Sequence, residues 1–452
     1  MLPALDVLRR ALAQVLVDKE EQGHDTSGLD EELTRLPDSY DALVDYAERL
    51  AQLPLRDGWP YVEPDDLETI RQESDPGRAT GPMGPLAGDA SPRAETAFLS
   101  AVCGCILGKP LEFDPTLEEL RAVLQPLGAW PLSDYLPEAA LDGLRHRHPQ
   151  WRETVAGRIA WVAPDDDINY KVLGLLLLER RGTTFTREHL RDLWMYNLPV
   201  LATFGPERTL LLKAGIDTMA ESPRRFDPSW VTSLNPAEEY CGALIRVDTY
   251  GYALPGRPEL AAELAWRDAG FTHRRTGLYA AMFVAAAIAI APMVDEPLAI
   301  FEAAIGYVPR RSRFAAAVAD SLAEVAAARD WEDGYRRVHR RFPEHTHCRI
   351  YQEVGTLINT LRFAEDVGDG IGKQVCQGND TDSFGATAGS VLGAWFGPDG
   401  LERRWLEPFG DRVHLALANV YEPSLSALAE RVGRLPGQML DDRSARFPPA
   451  GE

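Results

Sequence analysis

Gly378-Asn379-Asp380-Thr381-Asp382-Ser383 runs directly into Phe384-Gly385-Ala386-Thr387-Ala388-Gly389-Ser390-Val391-Leu392-Gly393. The first part places two carboxylates and two hydroxyls within four residues. The second is a helical pattern of small residues, with Gly385, Gly389 and Gly393 at four-residue spacing on one narrow face. A face that flat lets a second helix axis approach closely, so the helix is expected in the interior. Carboxylate and hydroxyl oxygens at its start, without a neighbouring histidine, suit a hard divalent cation such as Mg²⁺ or Mn²⁺.

A similar arrangement lies far upstream. Asp165-Asp166-Asp167 opens an apolar helical run, Ile168-Asn169-Tyr170-Lys171-Val172-Leu173-Gly174-Leu175-Leu176. One acidic cluster alone reads as an N-cap with favourable charges in the first turn. Three adjacent aspartates exceed that need, because their mutual repulsion asks for a counter-cation. Burying several carboxylates without cations costs several kcal/mol each, on the order of the usual penalty for unpaired buried ions. The two helix starts are therefore expected to face each other around a two-metal site.

The rest of the chain reads as helix after helix. Ala94 to Leu107 is apolar, with Ala97, Ala101, Gly104 and Gly108 on one narrow face. Helices are expected over 170–180, 187–196, 209–220, 260–268, 277–291, 297–307, 314–328 and 350–365, and convincing period-two runs are absent. The fold class is all-α. The apolar stretch from Gly277 to Val294 is alanine-rich and carries Pro292, which reads as a buried core helix and not a membrane span.

Residues 1–90 hold 20 acidic against 8 basic residues, a large share of the net charge of −22. They read as an acidic helical extension ending in a Pro/Gly-rich connector, Pro76 to Pro92, that acts as a linker or draped arm. Residues 91–435 form the expected catalytic domain and 436–452 a tail. So negative a field disfavours nucleic acid and anionic membranes as partners. Five cysteines in unpaired spacing (Cys103, Cys105, Cys241, Cys348, Cys376) fit a reducing, cytoplasmic compartment.

Ala101-Val102-Cys103-Gly104-Cys105-Ile106-Leu107-Gly108-Lys109-Pro110-Leu111-Glu112, the aspartate cluster opening a later helix and the Asp-Thr-Asp-Ser box together resemble the three marks of the ADP-ribosylglycohydrolase family. The resemblance spans roughly Ala94 to Leu435. It implies an all-α fold around two Mg²⁺ or Mn²⁺ ions that cleaves the C1″ bond between ADP-ribose and an acceptor, protein or small molecule. The family's Thr-Asp-Asp ligands then fall on Asp165, Asp166 and Asp167. Its later ligands fall on Asp380, Asp382 and Ser383, and its opening glutamate on Glu112. Three positions depart from the pattern: Asp165 and Ile168 stand in place of threonines, and Asn379 in place of a glycine.

Cleaving that bond passes through an oxocarbenium-like state. Two hard cations would hold the ribose hydroxyls and acidify a water. Glu112 is the expected proton acceptor or donor, with Asp382 as the metal-bound alternative. Glu239-Tyr240-Cys241-Gly242-Ala243-Leu244-Ile245-Arg246-Val247-Asp248 weakly resembles the family's pocket loop. Gly242, Arg246 and Asp248 are accordingly candidate substrate contacts, with Asn169 and Asn379. An Arg246–Asp248 ion pair fixing a loop is the competing reading, and His273 is expected to cap the following helix.

Other signals fail. Gly368-Asp369-Gly370-Ile371-Gly372-Lys373 lacks the glycine and strand of a phosphate loop. His345-Thr346-His347-Cys348 has no second ligand pair at zinc spacing and reads as a solvated loop. Two alternatives to ADP-ribose hydrolysis stay open: a smaller riboside, motivated by the replaced positions Asp165, Ile168 and Asn379 because added negative charge disfavours a diphosphate, and a non-catalytic, crystallin-like role.

Overall fold

The computed structural model describes residues 3–86, 88–113, 115–218, 226–343 and 348–440. Among these residues there is no strand, only isolated bridges, and the chain is a stack of helices joined by short 3₁₀ turns. The expected helices form within a few residues of their predicted ends: Asp166–Arg181, Arg187–Asn197, Gly205–Asp217, Pro258–Ala269, Arg275–Ile290, Pro297–Ala304, Arg313–Ala326 and Ile350–Phe363. The glycine-rich stretch rejected as a phosphate loop is helix Val367–Cys376, capped by Asp366. Helix Leu425–Leu440 continues through Pro436, past the expected domain edge at 435.

The core is centred on Arg275–Ile290, in which every residue from Thr276 onward is buried. This helix and Ala90–Gly108, each extended by its following turn, are long and apolar enough to cross a membrane, yet both lie mostly within the helix stack. Ala90–Gly108 packs directly on Thr381–Phe396, and the two meet through main chain. A Cβ on Gly104 would overlap the Gly385 carbonyl, and one on Gly108 the Thr381 carbonyl. The expected close approach of these two faces is therefore what forms.

Residues 5–51 fold as three helices around their own small core of Leu8, Leu12, Leu33, Leu43, Tyr46 and Leu50. The following segment drapes over the larger body and is tied to it by arginines. Glu63 pairs with Arg313 at 2.9 Å, Asp65 with Arg274 at 2.7 Å, Glu73 with Arg311 at 3.0 Å and Arg71 with Glu259 at 2.8 Å. Tyr279 donates to the Pro64 carbonyl and Tyr307 to that of Ala79. Acidic residues of this segment thus meet arginines on the surface beneath it, and its Arg71 meets Glu259 there.

Candidate active site

The glycine interface sets the site. Because Gly108 abuts Thr381, whose hydroxyl donates to the Gly108 carbonyl at 2.8 Å, the Lys109–Leu111 turn leaves the first helix beside the start of the second. That turn delivers Lys109 and Glu112 to the acidic residues. Asp380, Asp382 and Ser383 are all buried there. Burial pushes the Asp382 carboxyl well above its ordinary range, and the charges of Glu112, Asp165, Asp380 and Asp167 add to the effect.

Helix Asp166–Arg181 brings the second cluster. Asp165 is its N-cap and accepts from the Asp167 backbone N–H at 2.9 Å. The other Asp165 oxygen holds Lys109 Nζ at 2.5 Å in a buried ion pair. Burial alone would raise Asp165, but Lys109 outweighs it and keeps this carboxyl below the usual range. Asp166 and Asp167 behave oppositely. Burial raises both well above normal, with Asp165 and Asp380 among the charges that add to it. The two acidic helix starts, 215 residues apart in sequence, therefore share one electrostatic site, as the sequence suggested.

Several buried polar atoms lack hydrogen bonds among the described residues. Both Asp167 oxygens, Asp380 Oδ1 and both side-chain polar atoms of Asn379 have no hydrogen-bond partner among the described residues. Asp380 does not cap its own helix, and Asn379 sits at φ 61°. Buried carboxylate oxygens are ordinarily satisfied. An orphaned, oxygen-rich donor set at two helix starts fits hard divalent cations of the Mg²⁺ or Mn²⁺ kind. Asp165, expected among the ligands, is placed with both oxygens already engaged by Lys109 and its own helix.

Lys109 was not singled out from sequence as part of the centre. The only signal was its place in Gly108-Lys109-Pro110, three residues before Glu112. Lys171 was also passed over. It lies wholly buried beneath Asp167, with Nζ 3.9 Å from Asp167 and 2.9 Å from Asp248. Ser390 donates to the same Asp248 oxygen at 2.7 Å, while Asp248 Oδ1 has no hydrogen-bond partner among the described residues.

The anticipated Arg246–Asp248 pair is not what forms, since Asp248 belongs to Lys171. Arg246 is fully buried and holds Asp268 at 2.6 Å, Glu207, the Thr272 hydroxyl at 2.8 Å and the Gly242 carbonyl. Gly242 packs on Glu207, where a Cβ would come within 2.6 Å of its carboxylate. His273 does not cap. It is buried, bonded through Nδ1 to Thr272 at 2.7 Å, and helix Arg275–Ile290 starts without a side-chain cap. Asn169 accepts from the Ala416 N–H at 3.0 Å, pinning the segment that stacks His414 on Trp161.

Beside Glu112 lies a cavity of about 410 Å³ lined by Leu111, Phe113, Thr116, Glu119, Arg145 and His146. Phe113 is exposed at φ 107° and stacks on His148, which also sits 3.6 Å from the Glu112 carboxylate.

These features define an all-α protein with a buried acidic centre at two helix starts. A family model described as ADP-ribosylglycohydrolase matches residues 88–437, and the chain belongs to that family of glycoside hydrolases. A solved structure described as an "ADP-ribosylglycohydrolase-related protein complex" shares the fold, with a TM-score of 0.51 and 19% identity over 77% of this chain and 99% of that one. No curated protein matches the chain.

Proposed function

We propose that the protein hydrolyses the C1″ bond of ADP-ribose attached to an acceptor, with two Mg²⁺ or Mn²⁺ ions at the acidic centre. The observation that carries this reading is the set of orphaned oxygens on Asp167 and Asp380 in the same buried cluster as Asp382 and near Glu112. Asp166, Asp167, Asp380, Asp382 and Ser383 are the ligands we assign. When bound, the ions would grip the ribose hydroxyls and acidify the attacking water.

The chain's own groups do the rest. Glu112, at the rim of the cluster, accepts a proton from the water as the water oxygen bonds to C1″ and the C1″–acceptor bond breaks, and then passes that proton to the departing acceptor atom. Asp165 holds the helix start in place and keeps Lys109 folded into the cluster. Phe113 and His148 offer a ring-stacking surface next to Glu112, suited to a nucleobase or another planar group.

The smaller-riboside reading drew on the extra charge of Asp165. Lys109 offsets that charge, which weakens the electrostatic objection to a diphosphate. Purified protein with Mn²⁺ or Mg²⁺ should release ADP-ribose from ADP-ribosyl-arginine or ADP-ribosyl-serine. Turnover of free nucleosides alone would overturn the substrate, and turnover unaffected by chelation would overturn the metal dependence.

A further inference from the structure

Cys241 and Cys348 take no part in the proposed hydrolysis, yet both converge on one of its carboxylates. Cys241 Sγ lies 3.5 Å from Asp380 Oδ2, and Cys348 Sγ lies 3.4 Å from the same oxygen. The two thiols are also within hydrogen-bond reach of each other. One atom from each of the three side chains falls in a group no more than 4.8 Å across. We propose that Cys241, Cys348 and Asp380 form a binding site for a thiophilic divalent cation of the zinc class, distinct from the hard-cation centre and joined to it only through Asp380.

The spacing is that of a coordination shell. Zinc bonds of about 2.3 Å to sulfur and about 2.0 Å to oxygen, set tetrahedrally, put sulfur and oxygen about 3.5 Å apart. Both sulfur–oxygen distances match that edge. The donors also sort by softness: two sulfurs face Oδ2, whereas Oδ1 has no hydrogen-bond partner among the described residues. A thiolate pair selects zinc-like ions over Mg²⁺, so the two kinds of cation need not compete for the same atoms.

Access is available. Cys241 is buried, but Cys348 is half-exposed and lines a cavity of about 210 Å³ together with Asp18, Glu21, Glu239, Tyr240 and Gln352. Asp18 and Glu21 come from the N-terminal extension, and Arg349 and Arg313 line the same cavity, paired with Glu21 and Glu239. On binding, each thiol releases its proton to water and no oxidant is required. Because one oxygen of Asp380 would serve each site, loading the thiol site is expected to slow hydrolysis. The site itself does not depend on the hydrolase reading.

Cobalt reports on it directly. The full chain, reduced and stripped of metal, is titrated with Co²⁺ in excess Mg²⁺. One equivalent should develop a thiolate-to-cobalt charge-transfer band and tetrahedral visible bands, both bleached by stoichiometric Zn²⁺. Cys241→Ser and Cys348→Ser should each abolish the charge-transfer band, while Cys376→Ser, a buried thiol elsewhere, should retain it. Absence of the band in the unaltered chain would overturn the proposal, whatever the variants do. So would its persistence after both substitutions, or a Cys241–Cys348 disulfide found by alkylation and mass mapping in protein isolated without reductant. Mg²⁺- or Mn²⁺-dependent hydrolysis is assayed separately, so its failure would leave this result untouched.

Discussion

Two buried charge clusters occupy the same helical body and are built on opposite rules. Around Arg246, Glu207, Asp268, Thr272 and Tyr250 satisfy one another, with Tyr250 donating to Asp268 at 2.6 Å. Around Asp167, carboxylates crowd together while two oxygens of that residue and one of Asp380 lack hydrogen-bond partners among the described residues. The first cluster is complete in the protein alone. The second is complete only if something else arrives. Burial by itself therefore does not separate a structural ion pair from a functional one; satisfaction of the buried atoms does.

The sharpest way to break this comparison is to neutralise one carboxylate in the incomplete cluster. Asp167→Asn should lower hydrolysis by about 10³-fold, within the usual range for losing an acid–base or metal-polarised step. The metal-free thermal midpoint should hold or rise, because the amide never ionises among Asp165, Asp166 and Asp380. A fall in metal-free stability would place Asp167 in the structural class instead.

Arg246→Met tests the complete cluster. Removing one partner strands Glu207 and Asp268 and should destabilise the chain by about 3–5 kcal/mol in denaturant unfolding. Gly104→Ala comes next. The added methyl meets the Gly385 carbonyl, main chain that cannot rotate away, so about 1–3 kcal/mol of stability should be lost. Loss of hydrolysis before loss of fold in that variant would show that the two helix starts had been moved apart.

The response to pH without metal probes the incomplete cluster in a different way. Asp166, Asp167 and Asp382 have raised values in the folded chain against about 3.9 when unfolded. Above pH 4 the folded form keeps protons that the unfolded form sheds. Stability from these groups is therefore present at low pH and is lost as pH rises toward neutrality, by up to about 1.4 kcal/mol per pH unit for each proton retained. Mn²⁺ should flatten this slope in calorimetry. A slope unchanged by Mn²⁺ would separate these groups from any metal.

The fold was largely legible in the sequence because its signals are local. Four-residue glycine spacing announced the close helix pair, and acidic residues ahead of apolar runs announced the two helix starts. What the sequence concealed were the pairings that decide charge balance. Lys109 and Asp165 are 56 residues apart, Arg246 and Glu207 are 39, and Cys241 and Asp380 are 139, with no periodicity linking any of them. The Arg246 position shows the difficulty best. An arginine four residues after a glycine reads equally well as a phosphate contact, and only the fold reveals Glu207 and Asp268 as its partners. The motif at 345–347 lies outside the described residues, but the cysteine that follows it turned out to face Asp380.

The glycine contact between helices Ala90–Gly108 and Thr381–Phe396 has one more consequence. Where side chains separate two helices, a change of rotamer or residue size shifts their distance by degrees. Here backbone rests on backbone, so the gap works as a fixed gauge. The reach from Glu112 to Asp382 is then set by peptide geometry, leaving the surrounding surface free to vary in sequence without detuning the centre.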